Sequence, residues 1–154
     1  MIPSVIKGNY SEITALYNAE YFSSGVDADA SLDVCNIAKA AKELAETYKT
    51  VICATGQTDI ITDGKRVVYV KNGVPALASV TGTGCMLGAL CTAFMTSAHP
   101  VEAAISACCC LGICGELAEI DGGNGSFMVN LMDKISTLGK EEIKKYMIME
   151  EKTE

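Results

Sequence analysis

The run Thr50-Val51-Ile52-Cys53-Ala54, closed by Thr55-Gly56, decides the fold class. A short continuous apolar run bounded by a turn signal fits a strand buried on both faces, as strands of parallel sheets are. In front of it, Val34 to Tyr48 carries apolar residues at helical spacing with Lys39, Lys42, Glu43 and Glu46 on the other face, so an amphipathic helix leads into the strand. Gly25 to Asp33, rich in Gly, Asp, Ser and Ala, reads as the loop before that helix. Further upstream, Ser4-Val5-Ile6-Lys7 is a strand candidate. Gly8-Asn9 turns it into a helix capped by Ser11 or Asn9, with Glu12 in the first turn.

Downstream, Asp59–Thr62, Arg66–Val70 and Leu77–Val80 are expected strands, with Asp63-Gly64-Lys65 and Asn72-Gly73 supplying hairpin turn chemistry between them. Met86–Ser97 is expected to form a helix stopped near His99-Pro100. Val101–Ile120 forms a second, stopped by Asp121-Gly122-Gly123-Asn124-Gly125, and Ser126–Leu138 a third. The stretch from Lys140 to about Met149 reads as helical, with residues 150–154 frayed. Strands alternating with helices around a hairpin insertion predict an α/β fold. It is a layered, mostly parallel sheet with flanking helices, in a single domain over residues 1–154, its functional loops at the strand carboxyl ends.

A chain of 154 residues buries roughly two thirds of its unfolded surface. With 49% hydrophobic and 20% charged residues, the composition is that of a globular protein. A formal net charge of −7, with only 12 Lys and Arg, lacks the basic patch of a nucleic-acid binder. No signal peptide is read at the start, and Cys108-Cys109-Cys110 lies among Ala, Leu, Ile and Gly. The eight cysteines are therefore read as reduced thiols in a cytoplasmic protein. Cys110 and Cys114 have no second pair at zinc spacing, and the only histidine, His99, precedes Pro100, so structural zinc is not expected. The longest apolar stretch, Ala103–Gly115, is too short to span a bilayer. It reads as a core helix whose small residues let another helix, or another subunit, come close.

Chemistry concentrates in Val80-Thr81-Gly82-Thr83-Gly84-Cys85-Met86-Leu87-Gly88-Ala89, a small flexible turn with one thiol directly before an apolar helix. Unpaired N–H groups and the helix dipole at such a start attract an anion, and glycine lets the backbone approach it. The same field shifts a first-turn thiol toward thiolate. A proton acceptor beside a phosphate cradle points to phosphoryl transfer to a hydroxyl. The plainer alternative is that Cys85 is a small apolar residue at a tight strand-to-helix turn.

Three loops, Lys7-Gly8-Asn9, Thr55-Gly56-Gln57 and Thr81–Cys85, together resemble the C-terminal portion of the hydroxyethylthiazole kinases, a ribokinase-like family. The resemblance runs through Val5–Asn9 with Ser11-Glu12-Ile13, Ala54-Thr55-Gly56 with Asp59 and Thr62-Asp63-Gly64, Val80–Leu87, and Gly125-Ser126-Phe127. It implies ATP-dependent phosphorylation of the hydroxyl of 4-methyl-5-(2-hydroxyethyl)thiazole in thiamine biosynthesis and salvage. Cys85 would be the general base, where most ribokinase-like enzymes resemble one another in carrying aspartate.

The resemblance also assigns the other positions. Lys7, Thr55 and Gly56 would contact ATP, Gly82 the alcohol, and the amides of Thr83, Gly84 and Cys85 the charge on the transferred group. Glu12 of the Asn9-x-x-Glu12 element would position Mg2+, which accepts one carboxylate together with phosphate oxygens and water. Helix capping by Asn9 and Glu12, a solvated Lys7 and turn roles for Thr55-Gly56 and Gly82 stand beside these assignments. The family's pattern further implies a trimer with sites between subunits. It also includes N-terminal elements that have no counterpart here, so a truncated piece, or a partner supplying the other half, is expected. Two alternatives remain open: another ribokinase-like small-alcohol kinase, and a noncatalytic nucleotide-binding or oligomerisation fragment.

Overall fold

The computed structural model describes residues 2–18, 33–119 and 121–153. A strand β1 (Val5–Asn9) runs into α1 (Tyr10–Tyr17). Then follow α2 (Val34–Tyr48), β2 (Val51–Thr55), β3 (Asp59–Thr62), β4 (Arg66–Val70) and a single turn of helix, α3 (Ala76–Ser79). Three long helices, α4 (Thr83–Phe94), α5 (Pro100–Ala118) and α6 (Asn124–Thr137), precede α7 (Lys140–Tyr146) and β5 (Met149–Thr153).

The strands form one sheet in the order β1-β2-β3-β4-β5. Along β2 the pleat sends Ile52 and Ala54 to one face and Val51 and Cys53 to the other. The first face packs with Tyr10, Ile13, Ile37, Ala41 and Leu44 of α1 and α2, and the second with Leu87, Leu111, Ile113, Phe127 and Leu131 of α4, α5 and α6. A strand covered on both sides must be apolar throughout, which is why its sequence shows no alternation.

The α/β layering is as expected, but the sheet is mixed. Only β1 and β2 are parallel; the β2–β3, β3–β4 and β4–β5 pairs are antiparallel. A parallel pair needs a long crossover, which α1 and α2 supply, whereas Thr55–Asp59 and Asp63–Lys65 are short enough only for hairpins.

Two element assignments are corrected. Leu77–Val80 is not a strand: Pro75 starts a helical turn with φ −56° and ψ −28°, and Ala76–Ser79 forms α3. Residues 150–153 do not fray but pair with β4 from Val70↔Met149 to Arg66↔Thr153. There, Lys71 Nζ reaches Glu150 at 2.9 Å, and the Lys152 ammonium lies 5.2 Å from the Tyr69 ring centre. Asn72-Gly73 closes no hairpin. Buried Asn72 instead donates to the Tyr146 carbonyl at 2.8 Å and accepts from the Ile148 N–H at 2.7 Å, docking the C-terminal strand. Of the expected loop Gly25–Asp33, only Asp33, the N-cap residue of α2, lies within the described residues.

Helix α5 extends the apolar stretch at both ends to 19 residues. By length and composition it could cross a membrane, but 72% of its apolar window is buried inside the protein. It is the core helix of the second layer, so its Ala103–Gly115 face is not free to meet another subunit. Small residues are required there, because a Cβ on Gly112 would fall 2.6 Å from the Asn72 carbonyl oxygen.

Candidate active site

Parallel pairing sets Asn9 beside Thr55 at the carboxyl ends of β1 and β2, the side of an open α/β sheet on which ligands bind. The Thr55 hydroxyl donates to the Gly8 carbonyl at 3.3 Å, tying the two strand ends together. Asn9 then caps α1. Its Oδ1 accepts from the Glu12 N–H at 2.8 Å, while Glu12 Oε2 accepts from the Asn9 N–H at 2.7 Å, a reciprocal capping box. Capping by Asn9, not Ser11, is therefore what the structure holds; Ser11 is buried within the helix.

Pleat alternation turns Lys7 to the same face as Val5, toward α4. Its ammonium stands 3.5 Å from where a Cβ on Gly84 would be, and among the described residues no other group outside the helix's own backbone and Gly84's chain neighbours lies within 4 Å of that point. A cation thus meets the start of α4, where glycine leaves backbone open to a ligand. Gly82 precedes that helix with φ +106° and ψ −13°, a left-handed conformation suited to glycine. No side chain caps α4, so the first-turn amides of Thr83, Gly84 and Cys85 face outward without one. The Thr83 hydroxyl is occupied with holding the turn, donating to the Leu77 carbonyl at 2.9 Å. Cys85 is exposed in the first turn.

The structure therefore brings Lys7 to Gly84, and Thr55, Gly56 and Glu12 to the neighbouring strand ends. A cavity of about 270 Å³, lined by Val5, Lys7, Cys53, Leu87 and Cys91 among others, lies between β1 and α4. For a magnesium ion the residues offer one exposed carboxylate, Glu12, with one oxygen engaged by its own helix cap. Among the described residues no cluster of three or more His, Cys, Asp or Glu side chains could hold a metal. Such a donor set fits magnesium when phosphate oxygens and water complete the shell.

Two residues given no role by sequence reading shape the loop after β2. Asp59 Oδ1 accepts from the Gly56 N–H at 3.1 Å, and its carboxyl is pushed up from 3.8 to about 6, mainly by desolvation. A charged residue heading an otherwise buried strand was the signal for it. Tyr10, 4% exposed, donates its hydroxyl to the Thr58 carbonyl at 2.5 Å. Its position directly after the cap residue gave no comparable cue.

The family model for the hydroxyethylthiazole kinases matches residues 1–141. A hydroxyethylthiazole kinase from Thermoanaerobacter sp. strain X514 is 44% identical over 146 residues, covering 92% of this chain and 55% of the relative. One from Methanosarcina mazei is 40% identical over 151 residues, covering 96% and 56%. The solved hydroxyethylthiazole kinase structure from Pyrococcus horikoshii OT3 superposes with a TM-score of 0.85 at 34% identity, covering 97% of this chain and 55% of that one. The chain spans about half the length of the curated relatives it matches. With most of its residues inside the family model, and with fold and sequence agreeing, this chain belongs to the hydroxyethylthiazole kinase family.

Proposed function

We propose that this chain carries the nucleotide and base elements of an ATP-dependent kinase for 4-methyl-5-(2-hydroxyethyl)thiazole, in thiamine biosynthesis and salvage. The supporting observation is the meeting of the Lys7 ammonium with the glycine turn at the head of α4. In this reading Lys7, Thr55 and Gly56 bind the ATP phosphates, and Gly82 lies against the alcohol through its backbone. The amides of Thr83, Gly84 and Cys85 take up charge on the transferred group. Cys85 acts as the general base that takes the hydroxyl proton as the alcohol oxygen bonds to the γ-phosphorus, and the bond to the bridging oxygen breaks to release ADP. Magnesium, held by Glu12, neutralises phosphate charge when bound.

The same proposal includes a reducing, cytoplasmic setting, supported by eight cysteines all in the free form. It also includes assembly into a homo-oligomer, a trimer by family resemblance. Outward-facing Val129 and Met132, 62% and 51% exposed on α6, support that assembly.

The test is γ-phosphoryl transfer from ATP across a panel of alcohols, with the remaining portion of a relative supplied in trans. The thiazole alcohol is expected to be preferred; preference for a sugar or a pyrimidine alcohol would overturn the assignment. A second reading, a noncatalytic nucleotide-binding module, keeps the same contact of Lys7 with the glycine turn without turnover. ATP-dependent stabilisation without transfer in the complemented protein would select it.

A further inference from the structure

The exposed loop after β2 is fastened from beneath by two side chains of different elements. The Tyr10 ring lies so close under Gly56 that a Cβ there would fall 2.6 Å from Cζ and 2.8 and 2.9 Å from the two Cε atoms. The ring belongs to a buried residue and has no room to retreat. Its hydroxyl crosses to the Thr58 carbonyl, 48 residues away in sequence, at 2.5 Å. From the β3 side, Asp59 Oδ1 takes the Gly56 N–H at 3.1 Å. Gly56 and Gln57 themselves are exposed, so the loop's outer surface is left free while its underside is held.

We propose that Tyr10 and Asp59 are positioning residues that clamp the Thr55–Thr58 loop to the first turn of α1, fixing the ATP-facing backbone of Gly56 and the Glu12 carboxylate as one rigid unit. This rests on the nucleotide reading above. Tyr10 is the first residue of α1 and Glu12 the third, and the ring contact adds a side-chain brace to the Asn9–Thr55 pairing that already places the head of α1 beside Gly56. Glycine at 56 is required because any side chain would displace the ring or the loop. Tyrosine rather than phenylalanine is required because the hydroxyl holds the far end of the loop. Burial, with Asp59 nearby, pushes the phenol up to about 12, so it stays protonated as a donor throughout the physiological range.

The experiment combines amide hydrogen exchange of residues 56–58 with MgATP titration by calorimetry on the full chain, in wild type, Tyr10→Phe, Gly56→Ala and the double variant Gly56→Ala/Tyr10→Leu. Loss of the hydroxyl in Tyr10→Phe is expected to speed loop exchange and weaken MgATP binding, each by about tenfold, the equivalent of one hydrogen bond. The melting temperature should stay within a few degrees. Gly56→Ala is expected to bind more weakly still. The double variant should recover at least part of that loss, because the shorter side chain vacates the space the new methyl needs.

A tyrosine serving only to fill the core would lower the melting temperature and leave the affinity of the folded protein unchanged; that result overturns the clamp, as does a Gly56→Ala defect indifferent to the ring. Wild-type protein that binds no MgATP would remove the nucleotide reading. The exchange rates would then decide the clamp alone, an unaltered loop in Tyr10→Phe overturning it and a loosened one supporting it.

Discussion

Replacing Asp59 by Asn isolates the cost of keeping a charge at the head of β3. The carboxyl is pushed up from 3.8 to about 6 by desolvation. The Gly56 N–H, the Cys108 thiol and the Lys7 ammonium act the other way and favour the charged form. A raised acid means that the folded state holds its proton more tightly than the unfolded chain. The stability this gives is complete below about pH 4 and is lost as pH rises through about 6. At 1.36 kcal/mol per unit, the loss above pH 7 is about 3 kcal/mol.

Asparagine keeps an oxygen for the Gly56 N–H and never ionises. The variant is therefore expected to match wild type in urea unfolding near pH 4 and to exceed it by about 3 kcal/mol near pH 7.5, with the gap opening between. Parallel pH curves, or a wild type that gains on the variant as pH rises, would refute the reasoning. If the gap opens as expected, wild type retains a costly carboxylate beside the nucleotide loop, a pattern expected where function opposes stability.

Cys85→Ala, at an exposed first-turn position, is expected to leave stability within about 0.5 kcal/mol while lowering phosphoryl transfer in the complemented enzyme by about 10²–10⁴-fold, read by coupled ADP release. Gly82→Ala meets no steric neighbour, yet its φ of +106° should cost about 1–2 kcal/mol in denaturant unfolding. Asn72→Ala leaves the Ile148 N–H and the Tyr146 carbonyl without their partner. It should cost about 2–3 kcal/mol and speed amide exchange in residues 149–153.

The sequence was most legible where a residue's role depends on its near neighbours. The apolar run at β2, the amphipathic α2 and the turn before α4 each declare themselves within a few positions, and Asn9 with Glu12 forms the cap their three-residue spacing implies. What escaped depends on distant partners. Met149-Glu150-Glu151-Lys152-Thr153 looks like a solvated tail because, as an edge strand, it needs charge rather than alternation; pairing with the sequence-distant β4, with Tyr69 opposite Glu150, decides its state. Leu77–Val80 is apolar enough for either element, and only Pro75 and the packing of Leu77 against Gly115 select the helical turn. Tyr10 follows a helix cap and nothing near it in sequence marks its role; its bond to Thr58 exists only once β1 and β2 are side by side.

The central claim is that Lys7, the Thr55-Gly56 loop and the head of α4 form one phosphate site. Titrating MgATP into isotopically labelled protein and following backbone and lysine side-chain resonances tests it directly. The account predicts saturable shifts concentrated at Thr55, Gly56 and Gly82–Cys85 together with the Lys7 ammonium, all with one dissociation constant. Shifts confined to the cavity between β1 and α4, or none at the glycine turn at saturating nucleotide, would contradict it.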